Sequence, residues 1–288
     1  MIFTPDTHTY TKDDITWFSA TYVVKCIENS FDNDYWTRYK AFEHIFFGFI
    51  EDDEKRKKAF RGLRKSVGIS EIGNYELFDR LEVICDPEQH AQLVEIINNV
   101  WIIKNKNSQN KGSAFHDTQE QASILRGYEV NPWTAEEQPV IVSYEWQNNK
   151  KISTVDICNL KSGYYPEIIV HKQLTEKFGV CGQLDRLWIS DLFFWIADYK
   201  TNEKLHFENK FQRLKEPLHH LDDCNYNHYR VQLSVYAWIL MEYGYILEDM
   251  RLNWIHEEYP VKFIPEIEQV IILALKQKMN ERTTTAAG

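Results

Sequence analysis

The segment at residues 182–201, which reads GQLDRLWISDLFFWIADYKT, constrains the fold more than any other part of the 288-residue chain. Its run LFFWIA is apolar on both faces of an extended strand, which is typical of a strand in the middle of a sheet. Two aspartates and a lysine nevertheless belong to the same segment. Because a buried charge is costly unless it is paired or bound to a metal, the segment predicts a sheet with a charged site built into it.

The spacing of these charges predicts their geometry if the segment folds as a hairpin. With Asp191 and Leu192 as the turn, residues whose numbers sum to 383 face each other, which places Asp185 opposite Asp198. Lys200 lies two residues after Asp198 and shares its face. Two carboxylates this close repel each other unless one is protonated or a cation lies between them. Mg²⁺ or Mn²⁺, as one or two ions, would meet that need, and a simple ion pair between Asp198 and Lys200 is the alternative.

Two further short motifs flank the hairpin. GSAFHDTQE lies upstream and fits G-x-x-x-H-x-x-x-E, and QLSVY lies downstream and fits Q-x-x-x-Y. Together with the D-x(n)-D-x-K pattern of the hairpin, they resemble the PD-(D/E)XK nuclease superfamily, in its RecB-like branch of phage-type exonucleases. The residues that carry the resemblance are Gly112, His116, Glu120, Asp185, Asp198, Lys200, Gln232 and Tyr236.

This resemblance implies a restriction-endonuclease-like α/β fold, with a core sheet flanked by helices. It implies that Asp185 and Asp198 are the central metal ligands, together with the backbone carbonyl of Tyr199. His116 would be a metal ligand from the upstream helix, and Lys200 would be the catalytic lysine.

Four further residues are candidates for the predicted site. Glu120 lies one turn after His116 on the same helix face, so it is a candidate for a second metal or a metal-bound water. Gln232 and Tyr236, also one turn apart, would lie near the DNA strand and the site, although packing on a buried helix is the alternative. Glu167, on the first strand of the predicted sheet, is a weaker candidate.

The cysteines of this chain do not fit the members of the RecB-like branch that bind an iron–sulfur cluster. Five scattered cysteines, never spaced as C-x-x-C, indicate reduced thiols in a cytosolic setting. Because no cysteine cluster follows the hairpin, we expect no iron–sulfur cluster. His220, Cys224 and His228 recur every four residues, but a polar loop explains them better than zinc.

Charge and hydropathy narrow the choice of partners. The net charge of −10 argues against a generic nucleic-acid coat protein but leaves room for a local basic groove. The basic segment EKRKKAFRGLRK is either a solvated helix face or an arm that contacts phosphates. No apolar run suggests a membrane span, and we expect a cytoplasmic protein without a signal peptide. The candidate DNA contacts are Lys55, Lys58, Arg61, Arg64 and Lys65.

Periodicity predicts the organisation of the remaining chain. Residues 34–107 read as helices, residues 105–113 as a polar loop before the helix of His116, and residues 164–201 as a three-stranded meander. We therefore expect a mixed α/β fold with a helical N-terminal half. The predicted divisions are a helical region at 1–110 packed on the core, a nuclease core at 111–282 and a disordered tail at 283–288.

The predicted function is metal-dependent hydrolysis of DNA, most simply as an exonuclease acting on single- or double-stranded ends. The resemblance implies a role in recombination, repair or end processing, with a phage origin and a single-strand annealing or other recombination protein as partner. A nuclease fold that only binds or assembles on DNA, and a structure-specific endonuclease, are the alternatives. Trp36, Trp101 and Trp133 are candidates for stacking on bases, and the sequence favours none of them.

Overall fold

A computed structural model describes residues 1–69, 71–255 and 257–286. In these residues the α-helices are Ala20–Ile27 (α1), Asn33–Phe47 (α2), Asp53–Ser66 (α3), Glu76–Glu82 (α4), Pro87–Arg126 (α5), Asn225–Met241 (α6) and Ile267–Ala286 (α7). The β-strands are Ile2–Thr4 (β1), Thr9–Thr11 (β2), Thr16–Ser19 (β3), Tyr128–Val130 (β4), Glu137–Pro139 (β5), Tyr144–Gln147 (β6), Lys150–Ser153 (β7), Gly163–Gln173 (β8), Phe178–Ser190 (β9), Phe193–Lys200 (β10), Ile246–Trp254 (β11) and Glu257–Val261 (β12).

The chain divides into two compact units, one formed by residues 1–29 and 111–288 and the other by residues 30–110. All strands of the described residues belong to the first unit, and its main sheet has the order β12-β11-β10-β9-β3, with β8 also paired to β9. A smaller sheet has the order β2-β1-β7-β6, and β4 pairs with β5. The predicted mixed α/β class is confirmed.

Strands β8, β9 and β10 form the predicted antiparallel meander. Phe193 pairs with Ser190 and Ala197 pairs with Arg186, so the pairing follows the register in which residue numbers sum to 383. Strand β10 lies inside the sheet because β9 pairs with one of its edges and β11, which follows a crossover through α6, pairs in parallel with the other. The predicted central position of β10 is therefore confirmed.

Strand β9 has an interrupted edge. On the side opposite β8, its first part pairs with β3 up to Cys181, and its last part pairs with β10 from Arg186 onwards. Between these two ladders, residues 182–185 have no strand partner on that side among the described residues. The backbone of β9 is therefore open at the position of Asp185.

Apolar packing fixes the first unit around this sheet. Helix α6 contributes Val231, Leu233, Val235 and Leu240 to the main core, together with residues of α1 and α7. These side chains pack against the fully buried positions of β8, β9 and β10. Burial of this much apolar surface holds the meander rigid, which gives the side chains at the open edge a defined position.

The second unit is a small helical bundle with an aromatic core. Tyr35, Phe42, Phe60 and Phe78 are fully buried in it, and the imidazole of His90 stacks on the ring of Phe42 at 4.0 Å. Asp side chains cap α2 and α3 by accepting hydrogen bonds from backbone N–H groups of their first turns. Among the described residues, no helix combines the length and apolar character that crossing a bilayer requires.

Three sequence predictions differ from the structure. The loop predicted at 105–113 is part of the continuous helix α5, because Asn, Ser and Gly only weaken a helix and no proline interrupts it. Residues 1–29, predicted within the helical region, belong to the unit of the main sheet because β3 pairs with β9. Residues 283–286 continue α7 rather than forming a disordered tail, and residues 287–288 lie outside the described part.

Candidate metal centre

Asp185 stands where the ladder between β9 and β10 ends. The last pair of this ladder is Ala197 with Arg186, one position before Asp198 and Asp185 would meet. Beyond it, the backbone N–H of Tyr199 donates to Oδ2 of Asp185 at 2.6 Å. In an extended strand the N–H and C=O of one residue face the same neighbour. The carbonyl of Tyr199 therefore faces the same edge, and its role as a metal ligand stays a prediction.

Three potential metal ligands converge beside Asp185. Nδ1 of His116 lies 3.3 Å from Oδ1 of Asp185 and 3.4 Å from Oε1 of Glu167. One ligand atom from each of these residues lies within 4.8 Å of the other two. Helix α5 supplies the imidazole, and β8 and β9 supply the carboxylates. The structure thus brings the predicted ligands His116 and Asp185 together, with Glu167 as the third member.

Glu167 has an unusual backbone conformation. It lies opposite Asp185, because Pro166 pairs with Arg186 and Ile168 with Leu184. Its φ of 51° is in the left-handed region, which is costly for a residue with a side chain. Its Oε2 accepts a hydrogen bond from Nε2 of Gln183. A strained residue inside a regular strand indicates a functional constraint, and the sequence signal for it was only a carboxylate within the apolar run YYPEIIV.

Asp198 and Lys200 form the second part of the site. Asp198 is 1% exposed, and the ammonium of Lys200 forms an ion pair with its Oδ2. Lys200 also lies 4.9 Å from the ring centroid of Tyr229. The predicted shared face of Asp198 and Lys200 is therefore what the structure shows. Oδ2 of Asp198 is engaged by the lysine, and ligation of a metal by Asp198 stays a prediction.

The electrostatics of the cluster reflect crowded negative charge. Burial, together with the charges of Asp198 and Glu167, raises the pKa of Asp185 to about 7. Burial alone would lower the pKa of His116, but hydrogen bonds with Asp185 and Glu167 outweigh it and raise that pKa to about 11. Burial would also lower the pKa of Lys200, yet Asp198 and Asp185 raise it. The site therefore stabilises positive charge.

Glu120 makes its contacts away from the cluster of His116, Glu167 and Asp185. Its carboxylate accepts a hydrogen bond from the hydroxyl of Tyr144, and its Oε2 lies 3.5 Å from Nζ of Lys151. Lys151 is itself buried, on β7. The predicted role of Glu120 at a second metal is therefore not favoured by its contacts. Lys151 had no signal in the sequence, since it lies on a short strand far from every motif.

The predicted pair on α6 does face the site. Nε2 of Gln232 donates to the hydroxyl of Tyr236 at 2.9 Å. The ring of Tyr236 packs on Gly182, where a Cβ would lie 2.4 Å from Cε1 of the tyrosine. Burial, followed by the nearby charge of Asp198, raises the pKa of Tyr236. This places the hydroxyl close to the open edge of β9, and the part of the pair in catalysis stays a prediction.

The basic helix α3 belongs to the second unit. Lys55, Lys58, Arg61 and Lys65 are exposed, and their spacing of three or four residues puts them on one face of the helix. Arg64 is only 5% exposed, so it is not on the surface with them. The reason is periodicity, since Arg64 lies one turn after the fully buried Phe60. The predicted DNA contact at Arg64 is therefore wrong, and the other four stay predictions.

Known proteins give little basis for a family assignment. No family model matches the sequence, and no curated protein matches it. Among solved structures, one described as "Crystal structure of SSO0001" is similar over 40% of this chain and 49% of that chain, with 15% identity and a TM-score of 0.25. The chain spans about half the length of that structure, and a likeness this weak supports no conclusion about fold or function.

Proposed function

We propose that the protein is a metal-dependent nuclease that hydrolyses phosphodiester bonds of DNA, acting as an exonuclease. The observation that carries this proposal is the convergence of His116, Glu167 and Asp185 beside the buried pair of Asp198 and Lys200. Buried acidic groups with a lysine at their side have a clear use in phosphoryl-transfer chemistry, where anionic charge develops next to a cation. They have much less use in a purely structural core.

The donor atoms fit a hard divalent cation. Carboxylate oxygens suit Mg²⁺ and Mn²⁺, and one imidazole nitrogen is compatible with Mn²⁺ and with similar divalent ions. His116, Glu167 and Asp185 would hold the ion, with the carbonyl of Tyr199 and the carboxylate of Asp198 as further candidates. The raised pKa of Asp185 supports this fit, because crowded carboxylates gain most from a bound cation.

Each residue has a distinct part in the proposed reaction. A divalent ion held here would polarise the phosphodiester and make a bound water more acidic. Lys200 would donate to a phosphate oxygen as negative charge develops on it. Asp198 fixes the lysine through their ion pair. Gln232 and the hydroxyl of Tyr236, which are hydrogen-bonded to each other, border the open edge where the strand would pass.

We also propose a cellular process, a compartment and a partner for this nuclease. We propose that the enzyme acts in recombination, repair or end processing of DNA in the cytoplasm. If the gene is encoded by a phage, this is the cytoplasm of the host. A single-strand annealing protein or another recombination protein is the partner we propose. The basic face of α3 would contribute contacts to phosphates.

The test is digestion of end-labelled linear DNA and covalently closed circular DNA with Mg²⁺, Mn²⁺ or a chelator. We expect loss of linear DNA only with metal, and no loss with Asp185→Asn or Lys200→Ala. Asp191→Asn is the matched control, because Asp191 is an exposed turn residue of the same hairpin with a positive φ that asparagine tolerates.

Two other outcomes would change the proposal. Cleavage of the closed circle would indicate a structure-specific endonuclease with the same site. DNA binding without cleavage under any metal would contradict catalysis and favour a nuclease-like fold that works as a binding or assembly protein.

A further inference from the structure

The second unit contains a pocket outside the candidate metal centre. Phe31, Asn33, Trp101, Lys104 and Asn105 line it, and its volume is about 310 Å³. This volume is at the small end of the range for ligand sites in proteins, which runs from roughly 300 to 1,000 Å³. A pocket of this volume has room for a single flat ring system with its substituent.

Two aromatic rings supply the apolar surface of the pocket. Phe31 is 65% exposed, although a large apolar side chain gains most from burial. Its ring lies parallel to that of Trp36, with centroids 6.4 Å apart, and is tilted against the ring of Trp101 at 5.9 Å. An exposed phenylalanine held by two tryptophans presents a pre-positioned face for another planar group.

The polar lining suits the edge of a heterocyclic base. Asn33 and Asn105 each carry a carbonyl acceptor and an amide donor, the combination that recognises base edges. The amide of Asn33 is oriented by its hydrogen bond to Oδ1 of Asn98, at 3.1 Å. The five lining residues include no carboxylate.

The acidic residues nearest the pocket are occupied by other groups. Two acidic residues flank Asn33 on α2, but both have partners in their own unit. Asp32 accepts from the backbone N–H of Tyr35 and from the hydroxyl of Tyr75, each at 2.9 Å, and Asp34 lies 3.9 Å from Arg38.

We infer that this pocket, the Phe31–Trp101 pocket, binds one unpaired base of a DNA strand by stacking on its aromatic rings, with the two asparagines at the base edge. The inference rests on the proposed function for its choice of DNA as ligand. The inference adds single-stranded DNA as the substrate class, because a base enters such a pocket only when it is not paired. The protein therefore binds strands with a single-stranded segment.

The test measures binding in the presence of a chelator, so that no cleavage is needed. The probes are an end-labelled single-stranded oligonucleotide and an abasic strand of equal length and charge, followed by fluorescence anisotropy. We expect Phe31→Ala and Trp101→Leu each to weaken binding of the base-bearing strand by about tenfold, with binding of the abasic strand unchanged. Phe49→Ala is the matched control, because Phe49 is 80% exposed in the same unit but outside the pocket.

A second measurement uses the unmodified protein. Ultraviolet crosslinking of a strand that carries 5-iododeoxyuridine should attach it to peptides that contain Phe31 or Trp101. Crosslinks only elsewhere, or equal loss of affinity for base-bearing and abasic strands, would overturn the inference. If the wild-type protein binds the base-bearing strand more tightly than the abasic strand but cleaves no DNA, the proposed nuclease function is wrong and the inference about the pocket stands. If the protein cleaves DNA and Phe31→Ala binds the base-bearing strand as tightly as the wild type, the nuclease function stands and the inference about the pocket is wrong.

Discussion

Lys200 illustrates how strongly single residues of this site depend on one another. Asp198 is almost completely buried, and the lysine is the partner of its Oδ2. Removing one member of a buried pair leaves an uncompensated charge, which typically costs about 3–5 kcal/mol. We therefore expect Lys200→Met to lower the free energy of unfolding by that amount in chelator, as measured by urea denaturation.

The double variant is the control for this prediction. Asp198→Asn combined with Lys200→Met removes both charges and should recover most of the stability. If the double variant is as unstable as Lys200→Met alone, the destabilisation comes from packing of the lysine stem rather than from the ion pair.

Asp185 predicts a pH dependence of stability in the metal-free protein. Its pKa is about 7 in the folded chain, against a usual value of 3.8. Between these values the folded state binds more protons than the unfolded state, so this residue makes stability fall as the pH rises from about 4 to 7. In chelator, Asp185→Asn should remove that slope, and its stability relative to wild type should increase with pH. Equal pH profiles by denaturant unfolding would contradict this account.

At the scale of elements, the close approach of β9 and α6 depends on Gly182. A Cβ at this position would lie 2.4 Å from Cε1 of Tyr236, which the tightly packed helix cannot avoid. We expect Gly182→Ala to cost about 1–3 kcal/mol and to reduce cleavage by displacing Tyr236. Thermal or urea unfolding measures the first effect, and digestion of labelled DNA the second.

Gly62 offers a matched comparison in helix α3. No atom lies within 4 Å of a Cβ built there, and its φ is not positive. Gly62→Ala should therefore stabilise the protein by roughly 0.5–1 kcal/mol, the usual gain in a helix interior. Similar destabilisation by Gly62→Ala and Gly182→Ala would show that the clash with Tyr236 is not the cause.

The elements also show what the sequence determines. The meander and its register were predictable because the apolar strands β9 and β10 are joined by a two-residue turn at Asp191 and Leu192, and the turn fixes the register of a hairpin. The continuous α5 was not, because the weak helix preference of NKNSQNKGS is overridden without any strong local signal. His116 and Asp185 were found through their motifs. Glu167 was only a weaker candidate because its approach to Asp185 arises from the pairing of β8 with β9. Lys151 was missed because its contact with Glu120 joins a short strand to a distant helix.

For the whole molecule, binding of DNA depends more on where the charges lie than on the net charge. A chain of net charge −10 needs a local positive surface to bind DNA, and the exposed basic face of α3 is the surface that we propose. Replacing Lys58 and Lys65 by alanine should weaken binding of single strands regardless of sequence. The slope of log affinity against log salt should fall by about 0.7 for each phosphate that the variant no longer neutralises.

Lys278→Ala is the control for this salt dependence. Lys278 lies on α7 in the other unit and is paired with Glu281 at 2.9 Å. An unchanged slope for the α3 variant, or an equal change for Lys278→Ala, would show that the basic face of α3 does not bind the strand.

Titration of the metal-free protein with Mn²⁺, followed by electron paramagnetic resonance of the free ion, tests directly whether the site binds a metal. We predict at least one bound Mn²⁺ per chain in the wild type, with stability rising by about 2.7 kcal/mol at a hundredfold excess over Kd. Asp185→Asn should lose this site, and Asp191→Asn should keep it. Absence of a bound ion in the wild type, or equal binding by Asp185→Asn, would contradict the claim that His116, Glu167 and Asp185 form a metal centre.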